Sequence, residues 1–232
     1  MTRLRSILFV LLMFLFAIVT GLVAWPALFK REWSLAVSKF WTRGTLWLLK
    51  VLCGIRDEVR GMEHLPTGPA IIAAKHQSMW ETLKLTTILP RPCFVLKKEL
   101  KGWPIFSWFA IANGFIFIDR EAGAKSLRDM TNQAKERLAE GAQIVIFPEG
   151  TRSAPGERLP YQPGVAALAK ALDVPTVPVS HNSGEYWLQP GPIKKPGTII
   201  MTIHPPITDV SNRKQFLRAV EAAIEGEEET AA

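Results

Sequence analysis

From Ile7 to Phe29 the chain reads ILFVLLMFLFAIVTGLVAWPALF, a run of 23 residues without a charge. No feature of the sequence is more restrictive. A helix rises about 1.5 Å per residue and a bilayer's hydrocarbon core is about 30 Å thick, so the run is long enough to cross it. Arg3 and Arg5 precede the run and Lys30-Arg31 close it. Its length, and the lack of an A-x-A-like site before the basic flank, argue against a cleaved signal peptide. Pro26 predicts a kink near the end. A helix crossing the bilayer and a hairpin with the next segment inside one leaflet both fit this pattern.

The next segment is amphipathic. Trp33, Val37, Phe40, Trp41, Trp47, Leu48 and Val51 fall on one face of a helix, and Lys39, Arg43 and Lys50 on the other. That is the pattern of a helix lying in the membrane interface, and three tryptophans beside an apolar run favour it. The competing reading is a core helix of the domain that follows. The denser basic cluster lies after the anchor, so the remainder is expected on the cytoplasmic face of the cytoplasmic membrane. The expected organisation is a membrane-associated two-helix segment over 1–54, an α/β domain over 55–225, and an acidic tail over 226–232, expected to be disordered.

Lys and Arg exceed Asp and Glu by 28 − 21 = 7, which points to an anionic partner. Beside a membrane segment, membrane lipid and a phosphorylated substrate fit better than nucleic acid. Cys53 and Cys93 have no metal-ligand or redox spacing and read as reduced thiols, and no metal is implied. From residue 55 short apolar runs (IRDEV, PAIIAA, CFVL, FIFI, QIVIF, PTVPVS, TIIMTIH) alternate with helical stretches at 78–89, 98–112, 122–140, 164–172 and 211–225. The alternation predicts an α/β fold, a mostly parallel sheet with flanking helices. Ligands of such sheets bind beyond the carboxyl ends of the strands, where this chain places KHQS, DR and PEGTRS.

KHQSMWE (75–81) has two readings. Ser78 and Glu81 fit the S-x-x-E capping box, which makes His76 a loop residue. Alternatively Glu81 orients His76 as a general base, which requires His76 to precede the helix and fold over its first turn. In FPEGTRS (147–153), Gly150 lets the backbone approach a ligand, Thr151 and Ser153 offer hydroxyls, and Arg152 offers a fork suited to phosphate. Glu149 could orient Arg152 or accept from a ligand hydroxyl; the alternative for the whole motif is a turn with an exposed ion pair. FIFIDR (115–120) ends in Arg120, a second phosphate candidate that Asp119 could hold. Lys97, Lys98 and Lys101 form a third basic group, by default a solvated face. Nucleotide-binding glycine motifs and the serine-hydrolase elbow are absent. His64, His181 and His204 lack ligand spacing and read as structural.

These residues resemble the 1-acylglycerol-3-phosphate acyltransferases of the bacterial PlsC type. The family's H-x4-D motif is present as HQSMWE, its second motif as GFIFIDR (114–120), its third as FPEGTRS, and its fourth as TVPVS (176–180); GMEHLP (61–66) and KKEL (97–100) match too. The likeness runs from about residue 55 to 207. It implies a glycerolipid acyltransferase-like fold and transfer of a fatty acyl group to the sn-2 hydroxyl of lysophosphatidate, giving phosphatidate. Acyl-CoA or acyl-carrier protein would be the co-substrate, with no resident cofactor. Residue by residue, it implies His76 as general base and Glu81 as its orienter in place of the family's aspartate. Arg120, Glu149, Gly150, Thr151 and Arg152, with Lys97 or Lys98, would hold the glycerol phosphate, and Pro178 would shape the acyl-donor site. Backbone N–H groups opening the 78–89 helix are the expected oxyanion donors. The longer Glu81 leaves open another lysolipid acceptor; a thioesterase or phospholipase, and a non-catalytic lipid-binding module, are the more distant readings.

Overall fold

The computed structural model describes residues 2–119, 122–187 and 191–226. Arg120 and residues 227–232 of the acidic tail therefore lie outside the described residues. The first apolar helix, α1, spans Thr2–Val23. It begins before the uncharged run and stops short of Pro26, because the chain turns there through a 3-10 segment at Trp25–Phe29. Pro26, the second residue of that segment, lies in its opening turn, where its missing N–H has no partner to lose. The second helix, α2 (Arg31–Cys53), then runs back along α1. The two backbones come close where Gly44 faces Phe16: a Cβ at Gly44 would lie 2.5 Å from the Phe16 ring. Phe16 also meets Phe40 edge-on.

The strands form one seven-stranded sheet, in the order β1-β7-β6-β2-β5-β3-β4. They are β1 (Ile55–Arg60), β2 (Ala70–Ala74), β3 (Pro92–Lys97), β4 (Ile116–Ile118), β5 (Gln143–Ile146), β6 (Thr176–His181) and β7 (Gly197–Ile203). All neighbours pair parallel except β6 with β7, so β1 and β7 run opposite to the other five. The central strand β2 is buried along its whole length, as expected where both faces of a sheet are covered. Its side chains alternate between the faces. Ile72 and Ala74 join Phe9, Leu49, Trp80, Phe94 and Val145 in a core beneath α1, α2 and α3 (Trp80–Ile88). Ile71 and Ala73 join a second core under α5 (Gly123–Ala139), α6 (Gly164–Leu172) and α8 (Arg213–Glu225).

All seven predicted strands are present, while the helix predicted over 98–112 is broken. A 3-10 turn at Lys98–Gly102 is followed by Trp103-Pro104, and α4 covers only Phe106–Ala112. Pro104 cannot donate to a helix and biases Trp103 away from the helical region. A short helix not foreseen, α7 (Ser183–Tyr186), follows β6. Of the two readings of α2, each describes one face. Trp33, Phe40, Trp47 and Val51 are exposed, whereas Leu49 and Cys53 are buried in the first core. Lys39, expected on a solvated face, donates to the carbonyls of Leu89 and Pro90 at the end of α3. The two-helix segment therefore packs into the body of the domain while most of the side chains of α1 remain exposed, the larger part of them apolar. Cys53 and Cys93 are free and buried.

Gly44→Leu is expected to destabilise the protein by about 1–3 kcal/mol, the usual range for overpacking. Its melting temperature in detergent should fall, and adding Phe16→Ala should recover part of the loss; additive losses would mean that the two sites are not in contact.

Candidate active site

The strand order brings three chain segments to one place. β2 lies between β5 and β6, with Ala73 opposite Ile146 and Ala74 opposite Val179. All three strands point the same way, so the segment leaving β2 (Lys75–Met79), the FPEG turn leaving β5 and the end of β6 at His181 are neighbours. The chain leaves β2 through α3 on one face of the sheet and β5 through α6 on the other, which opens the kind of crevice in which such folds bind ligands.

At the centre is the carboxylate of Glu81, fully buried in the first turn of α3. Its Oε1 accepts from His76 Nδ1 at 2.7 Å, from the Gln77 N–H at 3.1 Å and from the Ser78 N–H at 3.0 Å. Its Oε2 accepts from the hydroxyls of Ser78 at 2.8 Å and Ser183 at 3.1 Å. Burial alone would raise the pKa of this group. The neighbouring imidazoles of His181 and His76 and the backbone donors outweigh burial and hold it at about 2. An ionised Glu81 can only accept, so Nδ1 of His76 carries a proton, and in the neutral ring Nε2 presents its lone pair. The His76 ring stacks on Phe147, with centroids 4.0 Å apart. Among the described residues, no group hydrogen-bonds to Nε2.

The contacts that the two readings of KHQSMWE require, Glu81 to the Ser78 N–H and Glu81 to the His76 ring, occur together in one structure. The Ser78 hydroxyl accepts from the N–H of Trp80, the first residue of α3, at 3.0 Å, while Glu81 reaches back to both Ser78 and His76. Some of the amides expected as oxyanion donors already have partners within the site. The N–H groups of Gln77 and Ser78 are taken by Glu81, and that of Trp80 by Ser78.

Glu149 also differs from expectation. It is 3% exposed, and its carboxylate meets Lys75, Ser153 and the His76 N–H. Oε1 lies 2.5 Å from the ammonium of Lys75 and accepts from Ser153 Oγ at 3.1 Å. Oε2 accepts from the His76 N–H at 3.1 Å, and the Ser153 N–H donates to the His76 carbonyl at 2.9 Å. The FPEGTRS segment thus holds both the N–H and the carbonyl of His76. Burial pushes the Glu149 carboxyl up, and Lys75 offsets this only in part.

The remaining predicted residues are dispersed. Gly150 has φ +72°, a left-handed conformation suited to glycine, and Thr151 and Arg152 beside it are exposed. Lys97 is exposed at the end of β3. Lys98 pairs with Asp119 at 2.5 Å, so Asp119 has a partner other than the expected Arg120. Pro178 is buried within β6, opposite Ala73 of β2, and its carbonyl accepts from the His204 N–H at 2.9 Å. A buried place inside the sheet does not make it an open acyl-donor wall.

Several neighbours were not foreseen in a functional place: Lys75, Ser183 and His181. The last was read as structural without a location. Its Nε2 donates to the Lys75 carbonyl at 2.9 Å and its Nδ1 accepts from the Ser183 N–H at 3.3 Å. That pattern requires a neutral ring, and burial lowers its pKa accordingly, against the pull of Glu81. The S-x-x-E signature was the signal for Ser78; Ser183 and His181 have none, since only the pairing of β6 beside β2 brings them there.

Glu81→Gln keeps the shape of the orienter but removes its charge and can present an amide to Nδ1. A loss of about 10²–10⁴-fold in turnover is expected, with the fold retained; unchanged turnover would exclude the orienting contact. The depressed pKa of His181 makes a second prediction. Below its unfolded value, about 6.5, the unfolded chain takes up a proton that the folded chain does not, so stability falls as pH drops. His181→Gln should show a shallower loss of melting temperature between pH 7.5 and pH 5, measured against wild type.

Residues 56–182 match the family model described as Acyltransferase. The 1-acyl-sn-glycerol-3-phosphate acyltransferase of Pseudomonas aeruginosa is 40% identical over 205 residues, covering 87% of this chain and 79% of that protein. The mouse 1-acyl-sn-glycerol-3-phosphate acyltransferase alpha is 32% identical over 166 residues, 68% of this chain and 57% of that longer protein. The crystal structure of the 1-acyl-sn-glycerophosphate acyltransferase PlsC of Thermotoga maritima superposes with a TM-score of 0.78, covering 97% of this chain and 95% of that one at 24% identity. By its sequence, and with the fold in agreement, the chain belongs to the acyltransferase family.

Proposed function

We propose that the protein transfers a fatty acyl group from acyl-CoA or acyl-carrier protein to the sn-2 hydroxyl of lysophosphatidate, forming phosphatidate. The observation that carries the reading is the His76–Glu81 contact, in a chain whose relatives bear the name of that activity. Nε2 takes the hydroxyl proton as the oxygen attacks the thioester carbonyl. Glu81 stabilises the imidazolium that forms without taking its proton, since its own pKa is about 2. The tetrahedral intermediate then expels the thiol, which receives the proton back from Nε2. A thioester is already activated, so this route calls on no resident cofactor. Arg152 and Lys97, exposed near the ends of β5 and β3, are suited to the acceptor's phosphate.

The two-helix segment suits the same reading. α1 is long and apolar enough to enter a membrane. Its exposed Phe14, Leu15 and Leu22, with Trp25, Phe29 and Trp33 at the turn, would sit in lipid, while its inner side chains Phe9 and Met13 stay in the core. Lipid substrate and product would then be exchanged within the membrane, with the α/β domain on the cytoplasmic face.

Purified protein should convert lysophosphatidate and labelled acyl-CoA to phosphatidate, and His76→Ala should lose about 10²–10⁴-fold of that rate. Faster acylation of a lysolipid with a head group would reassign the acceptor. Thioester cleavage with no acylated lipid would replace transfer by hydrolysis.

A further inference from the structure

Lys75 separates β2 from His76, and its ammonium is buried between two carboxylates from distant parts of the chain. It lies 2.5 Å from Glu149 Oε1 and 2.7 Å from Glu225 Oε1, and donates to the Glu157 carbonyl at 3.3 Å. Glu225 is the last residue of α8. Its Oε1 also accepts from the Tyr161 hydroxyl at 2.9 Å, and Arg158 donates to its carbonyl at 3.3 Å. A carboxylate in the last turn of a helix faces the negative end of the macrodipole, and burying it costs more still. Neither local preference nor burial accounts for Glu225 here. The Lys75 ammonium does.

The contact continues into the site. Glu225 holds Lys75, Lys75 holds Glu149, and Glu149 holds the His76 N–H. We propose that Glu225 is a positioning residue: acting through Lys75 and Glu149, the last turn of α8 keeps the FPEG turn and the His76 backbone in the reactive arrangement. The inference rests on the acyl-transfer reading above. It extends the reach of the site to the C-terminal helix, 150 residues from the lysine it grips.

The full-length protein, in the detergent or vesicles used for the wild-type assay, tests this with Glu225→Ala and Glu225→Gln. Alanine removes the partner of Lys75; glutamine keeps an oxygen that can accept from Lys75 and Tyr161. Glu225→Ala should lower kcat about 10–100-fold, the scale of a small misplacement of a base. KM for both substrates should stay within about twofold, since no substrate contact is removed. Glu225→Gln should recover part of the loss. Hydrogen exchange supplies a readout independent of turnover: the amides of His76 and Ser153 should exchange about tenfold faster or more in Glu225→Ala, while those within β2 keep their protection. Wild-type kcat in a folded Glu225→Ala, or faster exchange spread evenly over the sheet, would overturn the proposal. Should wild type itself fail to acylate lysophosphatidate, the acyl-transfer reading falls. Exchange at His76 and Ser153 then still decides the link: local acceleration upholds it and no change overturns it.

Discussion

A carboxylate withdrawn from water persists as an anion only where donors replace the water it loses. Glu81 meets that condition through His76, the amides of Gln77 and Ser78, and the hydroxyls of Ser78 and Ser183. One anion thereby joins the start of α3, the segment leaving β2 and the helix after β6. It also settles the tautomer of His76, on which every chemical statement about the site depends. The same group holds both the amides that open the helix and the His76 ring, because two carboxylate oxygens can accept more bonds than either contact needs.

A second buried carboxylate does related work from the other side. Glu149 holds the peptide of His76 while Glu81 holds its ring. The imidazole is thus located by two elements that do not share a strand, and it stacks on Phe147 of the same turn. Rigid placement of this kind is what a general base requires, since transfer of a proton tolerates little error in distance. The motif that looked most like a ligand-binding loop, FPEGTRS, divides in two. Glu149 and Ser153 face inward and build the site, while Thr151 and Arg152 face outward.

The hairpin of α1 and α2 shows a comparable division. Its inner side chains complete the core beneath the sheet, and its outer ones leave a broad apolar surface uncovered. Hydropathy alone registers only the outer requirement. The inner one depends on where the two helices meet, at Gly44 and Phe16, and on Phe9 packing edge-on against Trp187 from a loop far along the chain.

Much was legible in the residues themselves. The seven strands follow from short apolar runs bounded by polar turns, and the His76–Glu81 pair from a spacing of five that local backbone geometry can close. Both are short-range properties, decided within a few residues of chain. Pro104 marks the place where helical periodicity was misread, since an apolar pattern continues through a proline and a helix does not. The tertiary structure alone decided what surrounds the pair. Lys75 with Glu225, Ser78 with Ser183 and Lys75 with His181 are separated by more than a hundred residues and meet only because β2 lies between β5 and β6. Strand order is set by which faces bury each other, a competition among whole elements that no local pattern records.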